Sequence, residues 1–331
     1  MNSGFKVALA AYRPEPWTIP AWFVERLRTE FPQCTFVALS HTDQVAAEII
    51  DAEVYFSWTL RPELFVQARK LRWIHSPAAA VNQLLCPEMV ASSVQITNSS
   101  EVHGPVVAQH VIALMFALAR RLDAASRLQL QAGWSKQFQL WEEQPRPREV
   151  AAATLGLVGL GSIGREVARL AKAVGMRVIA IRERPERGCE SADEVRGTSA
   201  IPWLLAQSDF VVLAAPLTGA TSCLMNAETL KLMRRDAYLI NVSRGALIDE
   251  GDLCQALNEG IIGGAALDVF AVEPLPADSP LWRARNLLIT PHSGSMTERQ
   301  WDRQYALFSS NLRHLLKGEP LEALVDKSRG Y

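Results

Sequence analysis

The sequence predicts an α/β protein of two domains, each built on a parallel sheet with helices on its faces. Three observations carry this. Strand-like and helix-like stretches alternate along the chain, the pattern of consecutive βα units. At "TLGLVGLGSIGREVARLAKAVG" (154–175) an apolar strand runs into a glycine turn that opens an amphipathic helix. The chain has 331 residues, 49% of them hydrophobic, which is enough for about two domains with sizeable cores.

The first series begins with a strand at "FKVALAAY" (5–12) and a helix at "AWFVERLRTEF" (21–31), whose apolar residues recur at helical spacing. "TFVAL" (35–39), "VYFSW" (54–58) and "LRWIHS" (71–76) read as further strands. A long, mostly buried helix is expected from Pro105, in its first turn, to about Ala132. The polar segment 133–150, with two prolines and no period, reads as an arm. Its Trp134 and Trp141 have two readings. Both pack back on their own subunit, or the arm crosses a dimer interface, where Trp is enriched.

A second series starts at Thr154. "TLGLV", "MRVIAI", "FVVLAA", "YLINV", "IGGAALDV" and "NLLIT" give six strands, the size of a complete doubly wound dinucleotide domain. The first helix of this series should end at Gly175. After Gly294 the chain is helical again and long enough to return to the first domain. The expected division is 1–102 with 295–331 as a discontinuous smaller domain. Residues 103–294 then form the dinucleotide-binding domain, carrying the arm 133–150.

Lys plus Arg total 34 and Asp plus Glu 35, and no basic run would track a nucleic-acid backbone. The N-terminus reads as a first strand rather than a signal peptide, because Tyr12, Arg13, Pro14, Glu15 and Pro16 follow its short apolar run. No stretch is expected to reach the roughly 20 apolar residues of a membrane helix. The nearest, "VVAQHVIALMFALARR" (106–121), is interrupted by Gln109 and His110. Cys34, Cys86, Cys189, Cys223 and Cys254 are dispersed, which suggests reduced thiols in a cytoplasmic protein. They read as buried small hydrophobes, and no clustered ligands suggest a metal.

Gly159, Gly161 and Gly164 have the G-x-G-x-x-G spacing in its proper setting. Gly159 allows the tight turn, Gly161 lets a pyrophosphate approach the backbone, and Gly164 lets helix and strand pack closely. The helix N-terminus supplies free N–H groups for the phosphates. Three later strands end in groups with chemistry: Arg244 in "INVSRGALID", Asp268 and Glu273 in "GAALDVFAVEP", and His292 in "LITPHSGS". Ligands of open α/β sheets bind at that edge. Arg can grip a carboxylate or polarise a carbonyl. His can exchange a proton beside a hydride transfer, and a carboxylate paired with it fixes the ring. Each residue alone has an ordinary structural reading; three of them at strand ends downstream of one glycine turn point to a single cleft.

These pieces, with "FVVLAAPLTGAT", run from 154 to 295 in an order that resembles the D-isomer-specific 2-hydroxyacid dehydrogenase family, in particular its glyoxylate/hydroxypyruvate reductases. "LRWIHSPAAAVNQLL" and "VVAQHVIALMFALARR" match it more loosely. The resemblance implies a Rossmann domain plus a flavodoxin-like substrate domain formed by both chain ends. It implies NAD(P)-dependent reduction of a small 2-keto acid such as glyoxylate, hydroxypyruvate or pyruvate. His292 would donate the proton, Glu273 would hold His292, and Arg244 would bind the substrate. Ser162 and Ile163 would line the pyrophosphate. Ala215, Pro216, Thr221, Val242, Ser243 and Gly294 would line the rest of the cofactor groove, and Asp268 would contact its nicotinamide side. Backbone N–H groups at Ala79 and Ala80 would take the substrate carboxylate. The loop "PAAAVN" (77–82) departs from the family pattern, which has a glycine near Ala80 and an aspartate at Asn82. Alanine keeps the N–H but restricts φ. The family's habit also suggests a homodimer through the 105–150 helix and arm.

Two other readings share the fold. One is phosphoglycerate oxidation, for which the chain is expected to lack room for an added regulatory domain. The other is a dinucleotide-sensing, corepressor-like interaction protein, against which the short tails speak. Cofactor choice rests on "MRVIAIRERPERG" (176–188). The ribose-binding acidic residue of NAD-using relatives falls at about Arg182, where this strand ends. Arginine removes the repulsion of a 2′-phosphate and its fork suits phosphate oxygens. Arg184 is placed to act as a second clamp, and Glu183 should point away. NADP is therefore expected to be preferred, with NAD possible.

Overall fold

The computed structural model describes residues 5–11, 17–132, 134 and 139–330. Tyr12, assigned above to the first strand, and most of the stretch 133–138 of the arm lie outside the described residues. The chain divides into two compact units, Met1–His103 with Thr297–Tyr331, and Gly104–Met296.

The first unit holds five strands: β1 (Phe5–Leu9), β2 (Cys34–Ala38), β3 (Val54–Phe56), β4 (Trp73–His75) and β5 (Gln95–Thr97). All pair in parallel, in the order β2-β1-β3-β4-β5, the flavodoxin-like winding. The helix Ala21–Glu30 buries Phe23, Val24 and Leu27 on one face of the sheet. The C-terminal helix Gln300–Lys317 packs into the same layer through Tyr305, Phe308 and Leu312. There Phe308 stacks on Trp73 with ring centres 5.0 Å apart. The strand β5 was not anticipated. Its place is set by pairing with β4 and by a bridge from Thr97 to Leu324.

The second unit holds β6 (Thr154–Val158), β7 (Arg177–Ile181), β8 (Glu194–Arg196), β9 (Phe210–Leu213), β10 (Tyr238–Asn241), β11 (Gly264–Leu267) and β12 (Leu287–Ile289). They form one parallel sheet in the order β12-β11-β10-β9-β6-β7-β8. Strand order reverses between β6 and β9, so the carboxyl ends of these two strands flank the crevice in which such sheets hold ligands. The edge strand β8 is a seventh member beyond the six expected, again only three residues long.

The long helix differs from the expectation in both its start and its end. It begins at Ser100 and ends at Ala119, with Pro105 inside it rather than in its first turn. Arg121 then takes a left-handed conformation (φ 54°), and a second helix runs Leu122–Leu130. The break has a tertiary cause. The Ala119 carbonyl accepts the N–H of Arg148 instead of continuing the helix, and the buried Arg121 guanidinium donates to the Pro145 carbonyl. Because it starts early, Ser100–Ala119 is long and apolar enough to cross a membrane by length and composition, which the sequence reading did not anticipate. Its apolar residues Val107, Val111, Leu114, Met115 and Leu118 lie in the core of the second unit, beside Leu155, Leu157 and Val178.

One further expectation is corrected, and one open reading is narrowed. None of the five cysteines is fully buried: Cys189 and Cys223 are exposed and the other three are half-buried. Cys189 and Cys223 lie on connecting segments, not in strands or helices that face a core. Of the two readings of the arm's tryptophans, burial against their own subunit is not the one seen, since Trp134 is 88% exposed and Trp141 58%. Trp141 is met by the Arg146 guanidinium of the same arm, 5.0 Å above its ring.

Candidate functional site

The glycine turn follows β6 and leads into the helix Ser162–Ala173. Gly159 has φ 102°, and a Cβ there would stand 2.7 Å from the Ala214 carbonyl oxygen. Its N–H bonds the Ile181 carbonyl at 2.9 Å, fastening the turn to the end of β7. A Cβ on Gly164 would meet the Gly159 oxygen at 2.2 Å, so helix and strand approach as only glycine allows. Gly161 is different: nothing stands within 4 Å of where its Cβ would be. No side chain caps the helix, which leaves the N–H groups of its first turn, at Ser162 and Ile163, for another acceptor. An open face at Gly161 and an uncapped helix N-terminus fit the pyrophosphate of a dinucleotide.

The neighbouring strand ends extend this groove. Val158 faces Ile181 on one side and Leu213 on the other, so Gly159, Arg182 and Ala214 leave the sheet at one level. Ala215 is buried and its carbonyl accepts the Ser243 hydroxyl at 2.5 Å. Val242 is buried beside them and Pro216 is exposed. The Thr221 hydroxyl closes its own turn, donating to the Pro216 carbonyl at 2.7 Å and accepting the Thr218 N–H at 2.8 Å. Thr221 therefore shapes the groove wall through this turn.

Parallel register explains how Arg244, Glu273 and His292 come together. Asn241 faces Leu267, and Leu267 faces Ile289, so β10, β11 and β12 end together. Arg244 follows three residues after Asn241, Asp268 directly after Leu267, and His292 three after Ile289. The Asn241 side chain sets the first loop, accepting the Ser243 N–H at 3.1 Å and donating to the Arg244 carbonyl at 2.9 Å. Gly245 then lies against the next loop, for a Cβ there would be 1.9 Å from the Phe270 carbonyl carbon. This close crossing puts the Arg244 turn on the segment that carries Glu273. Glu273 is itself held, since its Oε1 accepts the Phe270 N–H at 2.9 Å. Its Oε2 lies 2.6 Å from His292 Nδ1. Burial lowers the Arg244 pKa, opposed by the charge of Glu273.

His292 has φ 51°, a strained value for a residue with a Cβ. Asp268 accounts for it. This buried carboxylate accepts the N–H groups of Ser293 and Gly294, both at 2.9 Å, and the Thr290 hydroxyl at 2.6 Å. His110 Nε2 completes its surroundings at 3.4 Å. Burial alone would raise the Asp268 carboxyl, but His110, Thr290 and the two N–H groups together hold it below its ordinary value. Asp268, expected beside the nicotinamide, also holds the His292 loop. A Cβ on Gly294 would stand 2.8 Å from Asp268 Oδ2, so this glycine is required for the clamp. Sequence reasoning missed Asn241, Gly245, Thr290 and His110. His110 carried the one available signal, a polar residue inside an apolar helix.

Ala79 and Ala80 belong to the first unit, in the loop after β4. Four successive carbonyls of this loop face donors. Ser99 Oγ serves Ser76 at 2.9 Å and Ser99 N–H serves Ala78 at 3.0 Å. Gln304 Nε2 and His103 Nε2 serve Pro77 at 2.8 and 2.9 Å, and Asn98 Nδ2 serves Ala79 at 2.9 Å. Behind them His75 is wholly buried and pushed down to about 3, so it stays neutral near pH 7. These bonds fix the loop, and the Ser76 hydroxyl accepts the Ala78 N–H at 3.2 Å.

At the end of β7, Arg182 does not stand open to solvent. Its Nη1 lies 3.2 Å from Glu190 Oε1, and its side chain is 12% exposed. The other carboxylate oxygen, Oε2, lies 3.3 Å from Arg165 Nε. Arg184 is exposed in the loop between them.

Residues 112–294 match the family model described as "D-isomer specific 2-hydroxyacid dehydrogenase, NAD binding domain". The chain is 35% identical over 271 residues to the glyoxylate reductase of Korarchaeum cryptofilum, covering 80% of this chain and 79% of that one. It is 36% identical over 288 residues to the D-3-phosphoglycerate dehydrogenase of Synechocystis sp., covering 85% of this chain but spanning only 50% of that relative. Among solved structures, an NADPH-dependent glyoxylate/hydroxypyruvate reductase of Sinorhizobium meliloti in complex with NADP and sulfate is similar. Its TM-score is 0.82 at 26% identity, over 99% of this chain and 100% of that one. The matched span takes in the glycine turn, Arg244, Glu273 and His292. This chain is an NAD(P)-dependent enzyme of the D-isomer specific 2-hydroxyacid dehydrogenase family.

Proposed function

We propose that this enzyme reduces a small 2-keto acid, glyoxylate or hydroxypyruvate first among candidates, to its D-2-hydroxy acid, with NADPH preferred. The observation that carries the reading is the 2.6 Å contact between His292 Nδ1 and Glu273, beside the turn that carries Arg244. Glu273 engages Nδ1, so Nε2 is the nitrogen that hands a proton to the keto oxygen. Glu273 balances the imidazolium before transfer and holds the Nδ1–H tautomer after it. The Arg244 fork grips the carboxylate and keto oxygen and stabilises charge growing on that oxygen. The nicotinamide cofactor, when bound, supplies the hydride to the carbonyl carbon. The family resemblance supports Ala79 and Ala80 as N–H donors to the substrate carboxylate, on a loop fixed through its carbonyls at 76–79.

NADPH preference is supported by arginine at 182, where an acidic residue would repel a 2′-phosphate. The relative bound to NADP supports it further. A panel of glyoxylate, hydroxypyruvate, pyruvate and 3-phosphohydroxypyruvate, each assayed with NADPH and NADH, tests the reading. Turnover of glyoxylate or hydroxypyruvate with the better kcat/KM for NADPH is expected. Cofactor binding without turnover of any keto acid would replace it with the sensing, corepressor-like role.

A homodimer through the 105–150 region belongs to the same proposal. Leu122, Leu130, Trp134 and Trp141 are all exposed in that region, an apolar set that a partner arm would cover. Light scattering should give twice the chain mass, and Trp134→Glu with Leu130→Glu should halve it. A monomeric parent protein would end the dimer proposal. A cytoplasmic location is proposed as well, supported by the five dispersed cysteines.

A further inference from the structure

The carboxylate of Glu190 lies between two arginines that belong to different parts of the cofactor groove. Arg182 directly follows Ile181, whose carbonyl holds the Gly159 N–H. Arg165 stands in the first turn of the glycine-turn helix, with its N–H on the Gly161 carbonyl at 2.9 Å. Glu190 reaches both from eight residues beyond Arg182, one oxygen to each: 3.2 Å to Arg182 and 3.3 Å to Arg165. The Gly188 carbonyl also faces Arg182 Nη1, at 3.5 Å. Glu190 itself has φ 52°. It sits in an exposed stretch, 183–190, that can swing without disturbing a core.

We propose that Glu190 determines the balance between the two cofactors by occupying the place between Arg165 and Arg182 that a 2′-phosphate takes. This rests on the reading of Arg182 as the residue that admits NADPH. The chemistry runs both ways. A ribose 2′-hydroxyl is a donor and needs an acceptor at the strand end, the role an acidic residue at 182 would fill. Arg182 cannot accept a hydrogen bond. Glu190, held on the arginines, brings a carboxylate back to that spot from a different place in the sequence, and NADH remains usable. A 2′-phosphate carries more charge than the carboxylate and three acceptor oxygens, so it outcompetes Glu190 for the same two forks. The Glu190 carboxylate is 30% exposed, so solvent screens both of its pairs in part and the displacement costs little. The enzyme then accepts both cofactors, with the NADPH preference held below what two unopposed arginines would give.

Fluorescence titration of the full-length protein with NADPH and with NADH tests this without relying on turnover. Glu190→Gln keeps the size of the side chain and removes its charge. It should tighten NADPH about fivefold and weaken NADH about twofold, moving the preference roughly tenfold toward NADPH. Arg182→Ala should weaken NADPH by about tenfold or more and leave NADH within about threefold. If Arg182→Ala weakens NADPH but Glu190→Gln leaves the ratio unchanged, Glu190 has no such role and the reading of Arg182 stands. A Glu190→Gln shift toward NADH would also overturn the proposal, since Glu190 would then be orienting the arginines for phosphate. If Arg182→Ala leaves NADPH affinity intact, the underlying reading of cofactor choice fails with it.

Discussion

His292→Ala turns over its keto acid about a thousandfold more slowly than the parent enzyme, the usual worth of a positioned general acid. Cofactor affinity is unchanged in this variant, because the glycine turn and the end of β7 do not touch residue 292. The loss falls in kcat more than in KM, since the proton is needed only as the carbonyl becomes an alkoxide. Glu273→Gln falls in the same direction by a smaller step. It keeps an acceptor near Nδ1 but removes the charge that balances the imidazolium. Stopped-flow or steady-state measurement with saturating cofactor gives both numbers. A His292→Ala enzyme within threefold of the parent would remove His292 from the mechanism.

Arg244→Ala costs about a hundred- to a thousandfold in kcat/KM, the range expected when one partner of a hydrogen-bonded charge pair is truncated in a partly buried site. Arg244→Lys recovers little of this. An ammonium cannot span a carboxylate and a keto oxygen with parallel N–H groups. The Arg244→Lys result separates recognition by shape from simple attraction of an anion. If Lys restores near-normal kinetics, Arg244 acts only as a point charge. If Ala has no effect at all, the substrate is held elsewhere. Thermal stability should fall only slightly in either variant, because the Asn241 bonds and the Gly245 crossing still fix the loop when the bond from Arg244 Nη1 to the Ser243 carbonyl is lost.

Most of the second unit was legible in the sequence because its signals are local. A five-residue apolar strand, three spaced glycines and an amphipathic helix lie within one stretch, and each constrains the next. The strand ends could be named for the same reason, since Arg244, Glu273 and His292 each follow a recognisable apolar run. What escaped was short or distant. β5 and β8 lack a long apolar run of their own, and their neighbours in the ladder make them strands. The break at Arg121 depends on Arg148 taking the Ala119 carbonyl, a partner 29 positions away in sequence. The reading of Asp268 shows the same limit. Its position at a strand end was clear, but four partners from two other segments decided that it clamps the His292 loop.

The sequence by itself determined the α/β class, the dinucleotide turn and the candidate side chains at the strand ends, because periodicity and motif spacing are properties of neighbouring residues. Tertiary structure alone decided which of those side chains meet. Parallel register brings the ends of β10, β11 and β12 level, the missing Cβ of Gly245 lets two loops cross, and a carboxylate from residue 190 finds two arginines separated from it in the chain. Such contacts depend on three-dimensional closure. Closure is paid for by the whole core, and no short stretch of sequence records it.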